Sequence, residues 1–198
     1  MNDNIRSVLK KIDELEQELG TLLLKQKADA AYKINGKRIE FERAVMEVHR
    51  KYKTGLLRWL ISSRPQNVLS VPFIYGVIPV WCLLDLSLGL YQAVCFRLYG
   101  IPLVSRSSYI VIDRHKLAYL NVIEKFNCVY CGYVSGLLAY AREIASSTEQ
   151  YWCPIKHAHK VLDAHDKYIY FSEYGDASAY QNNLAQARRN IRFKKTDE

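Results

Sequence analysis

The chain has 198 residues, 49% of them hydrophobic and 24% charged, which is long enough for a real core and too apolar for a disordered protein. Its net charge of +8 points to an anionic partner, and charge alone does not separate nucleic acid from the anionic face of a membrane. Fifteen tyrosines against six phenylalanines suit surfaces with one wet and one apolar side.

The opening MNDNIRSVLKKIDELEQ has no apolar h-region and does not read as a secretory signal. Ile5, Val8, Ile12, Leu15, Leu19 and Leu22 alternate steps of three and four, an a/d seam that wants a partner. Two partners fit: the next helix of the same chain, folded back as a hairpin, or a second copy. Asn35-Gly36 marks the chain reversal, and a second helix is expected over residues 38–62, with Phe41, Val45, Val48, Tyr52, Leu56, Trp59 and Leu60 on one side and Arg43, Arg50, Lys51, Lys53 and Arg58 on the other. Its end mixes aromatic, aliphatic and cationic residues as helices lying on a bilayer do.

From Pro65 to Leu84 there is no charge, and after Asp85 the apolar run continues to Phe96. A helical crossing takes roughly 20 apolar residues, so one crossing is possible and two are not. Pro72, Pro79 and Asp85 favour a bent or re-entrant helix over a straight span. Fourteen Lys and Arg precede the segment and fourteen follow it, which favours both ends on the cytoplasmic side. A buried core helix of a soluble protein is the alternative.

Further on, "LVSRSSYIVID" reads as a short strand or extended link, and Asp113 as the N-cap of a helix interrupted at Gly132 and Gly136 and resumed to about Ala145. Ser146, Ser147 and Thr148 read as a capping cluster, and the polar tail from Glu173 as ending in a frayed basic end, "RRNIRFKKTDE", free to touch anionic lipid.

Five cysteines, an odd number, argue for a reducing compartment and against a disulfide framework. Cys82 and Cys95 lie in the apolar segment and read as buried small hydrophobes. "FNCVYCGY" and "YWCPIKH" hold Cys128, Cys131, Cys153 and His157. Two thiolates at C-x-x-C spacing with a C-x-x-x-H half supply a tetrahedral shell for Zn2+, with an iron–sulfur cluster or iron as the alternative. The same residues can also be inert core cysteines or a redox dithiol, with His157 exposed and His159 or a carboxylate in the fourth place. Glu124 and Glu149 lie four residues before Cys128 and Cys153, and with Glu143 they are the candidate acid–base groups; ion pairs on a helix surface are the alternative for all three.

The run "YIVIDRHKLAYLN", "EKFNCVYCGY", "YAREIASSTEQYWCPIKHA" and "YGDASAY" resembles an uncharacterised family of bacterial proteins over the C-terminal half and the preceding apolar stretch. The resemblance implies a bacterial source and membrane association, and it brings no activity with it. Nucleotide-binding and standard hydrolase motifs are missing, and nucleic-acid binding has charge but no fold signature behind it.

The expected fold is mostly α, with a helical hairpin or coiled-coil arm (1–64), an apolar membrane-embedded segment (65–100) and a helical Cys/His domain (101–198). The expected function is a membrane-associated protein with a structural zinc site, at the cytoplasmic face of a bacterial inner membrane. A membrane-bound redox enzyme or metalloenzyme acting on a lipid or quinone, and a soluble helical adaptor, are the alternatives.

Overall fold

The computed structural model describes residues 3–28, 32–35, 38–41, 43–55, 58 and 61–193. The chain is mostly helical and divides into two compact units, one of residues 1–53 with 116–119 and one of residues 54–115 with 120–198.

In the first unit, helix α1 (Asp3–Ala28) is followed by strands β1 (Tyr32–Asn35) and β2 (Arg38–Phe41), then by helix α2 (Arg43–Lys51). The strands pair antiparallel, Tyr32 opposite Phe41 and Asn35 opposite Arg38, so a two-residue connection closes them. The Asn-Gly signal does reverse the chain, but into a β-hairpin. The expected helix over 38–62 therefore starts five residues late, and the segment after Asn35 does not form a long helical partner for α1. The α1 seam stands uncovered: Val8, Ile12, Leu15, Leu19 and Leu22 are 47–63% exposed, while the side chain of Ile5 lies outside the described residues. His49 of α2 meets Tyr119 edge to face, ring centroids 5.5 Å apart.

The second unit opens on the apolar segment. It is helical throughout, as α3 (Pro65–Gly76), α4 (Ile78–Tyr91), a π-helical turn Gln92–Phe96 and a last turn Arg97–Tyr99. Pro65 at the first helical position lacks the amide that would be unpaired there. Pro72 lies inside α3, and Pro79 sits in the first turn of α4. The chain does not double back between them. Gly100 ends the run at φ 69°, a left-handed conformation glycine adopts without Cβ strain.

The segment that follows returns along the helix without regular structure apart from the single turn Arg106–Tyr109. Helix α5 (Val122–Trp152) then runs for 31 residues. Its start is a capping box: the Asn121 side chain accepts from the Glu124 amide at 2.9 Å, and the Asn121 amide donates to Glu124 Oε2 at 2.8 Å. Asp113, the expected cap, lies eight residues upstream. Pro154 stops the helix because proline offers no amide to the ladder. Gly132 and Gly136 do not interrupt it. They let the returning segment cross: a Cβ on Gly136 would stand 2.6 Å from the Tyr109 carbonyl oxygen and 2.8 Å from Ile110 Cα, whereas one on Gly132 would meet Val111 O at 3.4 Å.

Contacts between α5 and the 65–99 helix form a ladder in register. Tyr75 bonds Asn127 and Tyr130 donates to the Ile74 carbonyl. Trp81 donates to Tyr130, Tyr133 donates to Asp85, and Gln92 bonds Tyr140. Tyr99 stacks on Tyr151 with centroids 5.0 Å apart. Residue numbers rise together on both sides, so the two helices run parallel. Phe96, Ile101, Leu137, Tyr140, Ile144 and Ile191 form the core beside this ladder. Helix α6 (Tyr180–Phe193) packs on α5 with Ile191 in the core and Gln150 Nε2 donating to the Ala187 carbonyl, and with the Arg188 guanidinium 4.8 Å over the Tyr151 ring. The expected frayed tail is thus a packed helix as far as Phe193, and the basic end beyond it lies outside the described residues. Cys82 is exposed and Cys95 half-buried, so neither is the buried core cysteine the sequence suggested.

Candidate functional site

The expected metal centre does not assemble. Cys128 and Cys131 lie on α5, and Cys153 is the residue that ends it. Twenty-five residues of unbroken helix at a rise of about 1.5 Å put Cys128 and Cys153 roughly 37 Å apart. His157 lies beyond, its ring stacked on Tyr168 and its amide donating to the Tyr168 hydroxyl at 2.6 Å. Among the described residues no three of His, Cys, Asp and Glu converge on one point. Within one chain Cys128, Cys131, Cys153 and His157 therefore do not form the shared shell that the zinc reading, or the iron–sulfur reading on the same residues, requires. A shared shell needs the chain between the two halves to turn back, and that chain is one helix. Cys131 and Cys153 are exposed, so Cys131→Ser is expected to leave stability within about 0.5 kcal/mol of wild type, as read by thermal melting.

Each candidate carboxylate has a structural partner. Glu124 completes the capping box. Glu149 Oε2 lies 3.0 Å from His165 Nε2. Glu143 Oε1 accepts from Lys167 Nζ at 2.5 Å.

The last pair belongs to the most developed polar cluster of the unit. Lys167 Nζ also donates to Ser146 Oγ at 2.9 Å and Ser147 Oγ at 2.8 Å, and both serines are buried. They stand one turn after Glu143 inside α5, so the expected capping cluster is in fact mid-helix. Lys167 comes from the 3₁₀ turn Asp166–Tyr170. Glu143, Ser147 and Lys167 line a cavity of about 600 Å3, together with Tyr109, Gln150 and Asn183 among others. Its first wall is the chain leaving the apolar helix, from Ile101 to Ser105. Burial pushes the Tyr109 phenol up, with the Glu143 and Asp166 carboxylates adding to it.

The Lys167 nitrogen meets three acceptors at once, Glu143 Oε1, Ser146 Oγ and Ser147 Oγ, so its donors are all engaged. The amides around Ser147 are bonded within the helix, which leaves no pair of donors for an oxyanion. A volume of this size suits a small molecule or a lipid head.

A second cluster lies on the helix ladder. Arg106 holds Asp85 with two bonds, Nε to Oδ1 at 3.0 Å and a terminal nitrogen to Oδ2 at 2.6 Å. Tyr133 donates to Oδ2 at 3.0 Å. Burial, then the Asp85 carboxylate, pushes the Tyr133 phenol up to about 12. The folded state keeps this proton where the unfolded chain loses it near the ordinary value of 10.0. Its contribution is therefore intact below about pH 10 and is lost as pH rises toward about 12. Tyr133→Phe is expected to flatten the alkaline fall in stability across that window, measured by chemical denaturation at stepped pH.

Sequence reasoning singled out Asp85 and Glu143 but not the cations that pair with them, Arg106 with the first and Lys167 with the second. Arg106 lies 21 residues from Asp85, and Lys167 lies 20 from Ser147. No short motif spans such gaps. No family model, no curated protein and no solved structure matches the chain.

Proposed function

We propose that this is a membrane-associated bacterial protein, attached to the cytoplasmic face of the inner membrane through residues 65–99. One observation carries the reading. The helix Pro65–Tyr99 is 35 residues long, with an 18-residue window of mean hydropathy 1.8, and none of that window is buried. A core helix of a soluble protein hides such a face; here Leu83, Leu86 and Leu90 are all exposed. An apolar surface of this length in water is an interaction site. Sodium carbonate extraction of membranes tests the proposal: the protein stays in the pellet, and quantitative recovery in the soluble fraction would return the segment to an adaptor-type interface.

The cavity that begins where the helix ends supports a second reading, an enzyme or binding protein for a lipid or quinone. The engaged state of Lys167 favours binding. The uncovered seam of α1 supports a helical partner, a second copy included.

A further inference from the structure

We infer that the helix Pro65–Tyr99 lies along one leaflet and does not cross the bilayer, with its outward stripe sunk among anionic lipids and α5 riding above it. The inference deepens the membrane reading and rests on it. Its ground is what stands beside the helix. The ladder from Tyr75–Asn127 to Tyr99–Tyr151 shows α5 flanking all but the first ten residues or so. At about 1.5 Å per residue that free end is roughly 15 Å long, half of a bilayer core of about 30 Å.

A crossing by the uncharged stretch 65–84 would therefore carry its neighbours into hydrocarbon. Glu124 and Lys125 lie on the first turn of α5, just before the Asn127 that meets Tyr75. The Asp85–Arg106 pair would follow, with the Arg106 side chain 51% exposed. So would the returning segment, where Ser105, Ser107 and Ser108 are exposed and the backbone is regular only in the single turn Arg106–Tyr109. Lipid satisfies none of these groups, and irregular backbone facing hydrocarbon does not occur.

Laid flat, the same helix meets the bilayer without that conflict. Trp81, Asp85, Leu88, Gln92 and Phe96 face the unit. At about 100° per residue, Leu69, Phe73, Leu83, Leu86, Leu90 and Leu98 fall on the opposite side; they are 64–78% exposed. That stripe carries no charge before Arg97. Exposed Arg58 and Arg64 precede the helix and exposed Arg97 closes it, which sets cations at both ends against anionic head groups. Trp152, half exposed, packs edge to face on Tyr99 at the same end, an aromatic pair of the kind that sits at head-group depth.

The test is depth. Nitroxides placed at Phe73→Cys and Leu86→Cys, in a background with the native cysteines replaced by serine, are compared on phosphatidylglycerol-containing vesicles. An in-plane helix gives both labels one shallow depth, within about 5 Å. A crossing by 65–84 puts Phe73 near the bilayer centre and Leu86 at the interface, roughly 15 Å shallower, and overturns the inference while leaving the membrane reading intact. Labels that stay in water overturn both. Hydrogen exchange of residues 103–113 in the wild-type chain guards against a misfolded background. Vesicle binding leaves their rate within about twofold if the helix lies flat, whereas a slowing of tenfold or more means they have entered the bilayer.

Discussion

Gly136→Ala is expected to destabilise the second unit by about 1–3 kcal/mol, the range for forcing extra volume into a filled site. The added methyl would lie 2.6 Å from the Tyr109 carbonyl oxygen and 2.8 Å from Ile110 Cα. Both are backbone atoms, so no side chain can swing aside. Alanine's better helix propensity, worth about 1 kcal/mol over glycine, offsets part of the clash. Gly132→Ala is the internal control. Its methyl meets Val111 O at 3.4 Å, and the propensity gain is expected to leave that variant unchanged or slightly more stable. Urea denaturation of the two proteins side by side checks the claim, and equal midpoints would mean that the returning segment does not press on α5.

Lys167→Met is the second large effect. It removes the ammonium that joins Glu143, Ser146 and Ser147 and leaves a carboxylate about one-third exposed without its partner. Unpaired polar groups of this kind cost about 1–3 kcal/mol each when buried, and solvent screening of the partly exposed Glu143 carboxylate holds the expected loss to about 1–2 kcal/mol. Adding Glu143→Gln is expected to restore part of the loss, because the unpaired charge is then gone. A double-mutant cycle reads the coupling, and strictly additive losses would show that the cluster is not a unit.

The same residues show what the sequence could and could not convey. The apolar run without charge marked the exposed apolar helix almost to the residue, because hydropathy is a local property. The heptad seam marked α1 for the same reason. Asn35-Gly36 announced a reversal without saying whether strands or helices flank it; four-residue strands carry too little periodicity to decide. The C-terminal half misled more deeply. Gly132 and Gly136 looked like helix interruptions, since a glycine placed for a crossing backbone is identical in sequence to one placed for a break. A shell shared by Cys128, Cys131, Cys153 and His157 needs such a break between its halves. With α5 continuous the two halves are at opposite ends of a rod. The polar cluster at Lys167 was invisible because its members come from two elements about 20 residues apart, and only packing brings them together.

The central claim is that the outward stripe of the 65–99 helix holds the protein to lipid. Vesicle flotation of the wild type beside Leu83→Glu/Leu90→Glu tests it most directly. Both leucines are exposed, so the substitutions break no packing, and equal far-UV circular dichroism confirms it. Removing two leucines from lipid at roughly 1.5 kcal/mol each weakens partitioning about 100-fold. The wild type is expected to float with vesicles containing phosphatidylglycerol and the double variant to stay in the dense fraction. Equal flotation of the two proteins, or a wild type that remains with the soluble protein, would contradict it.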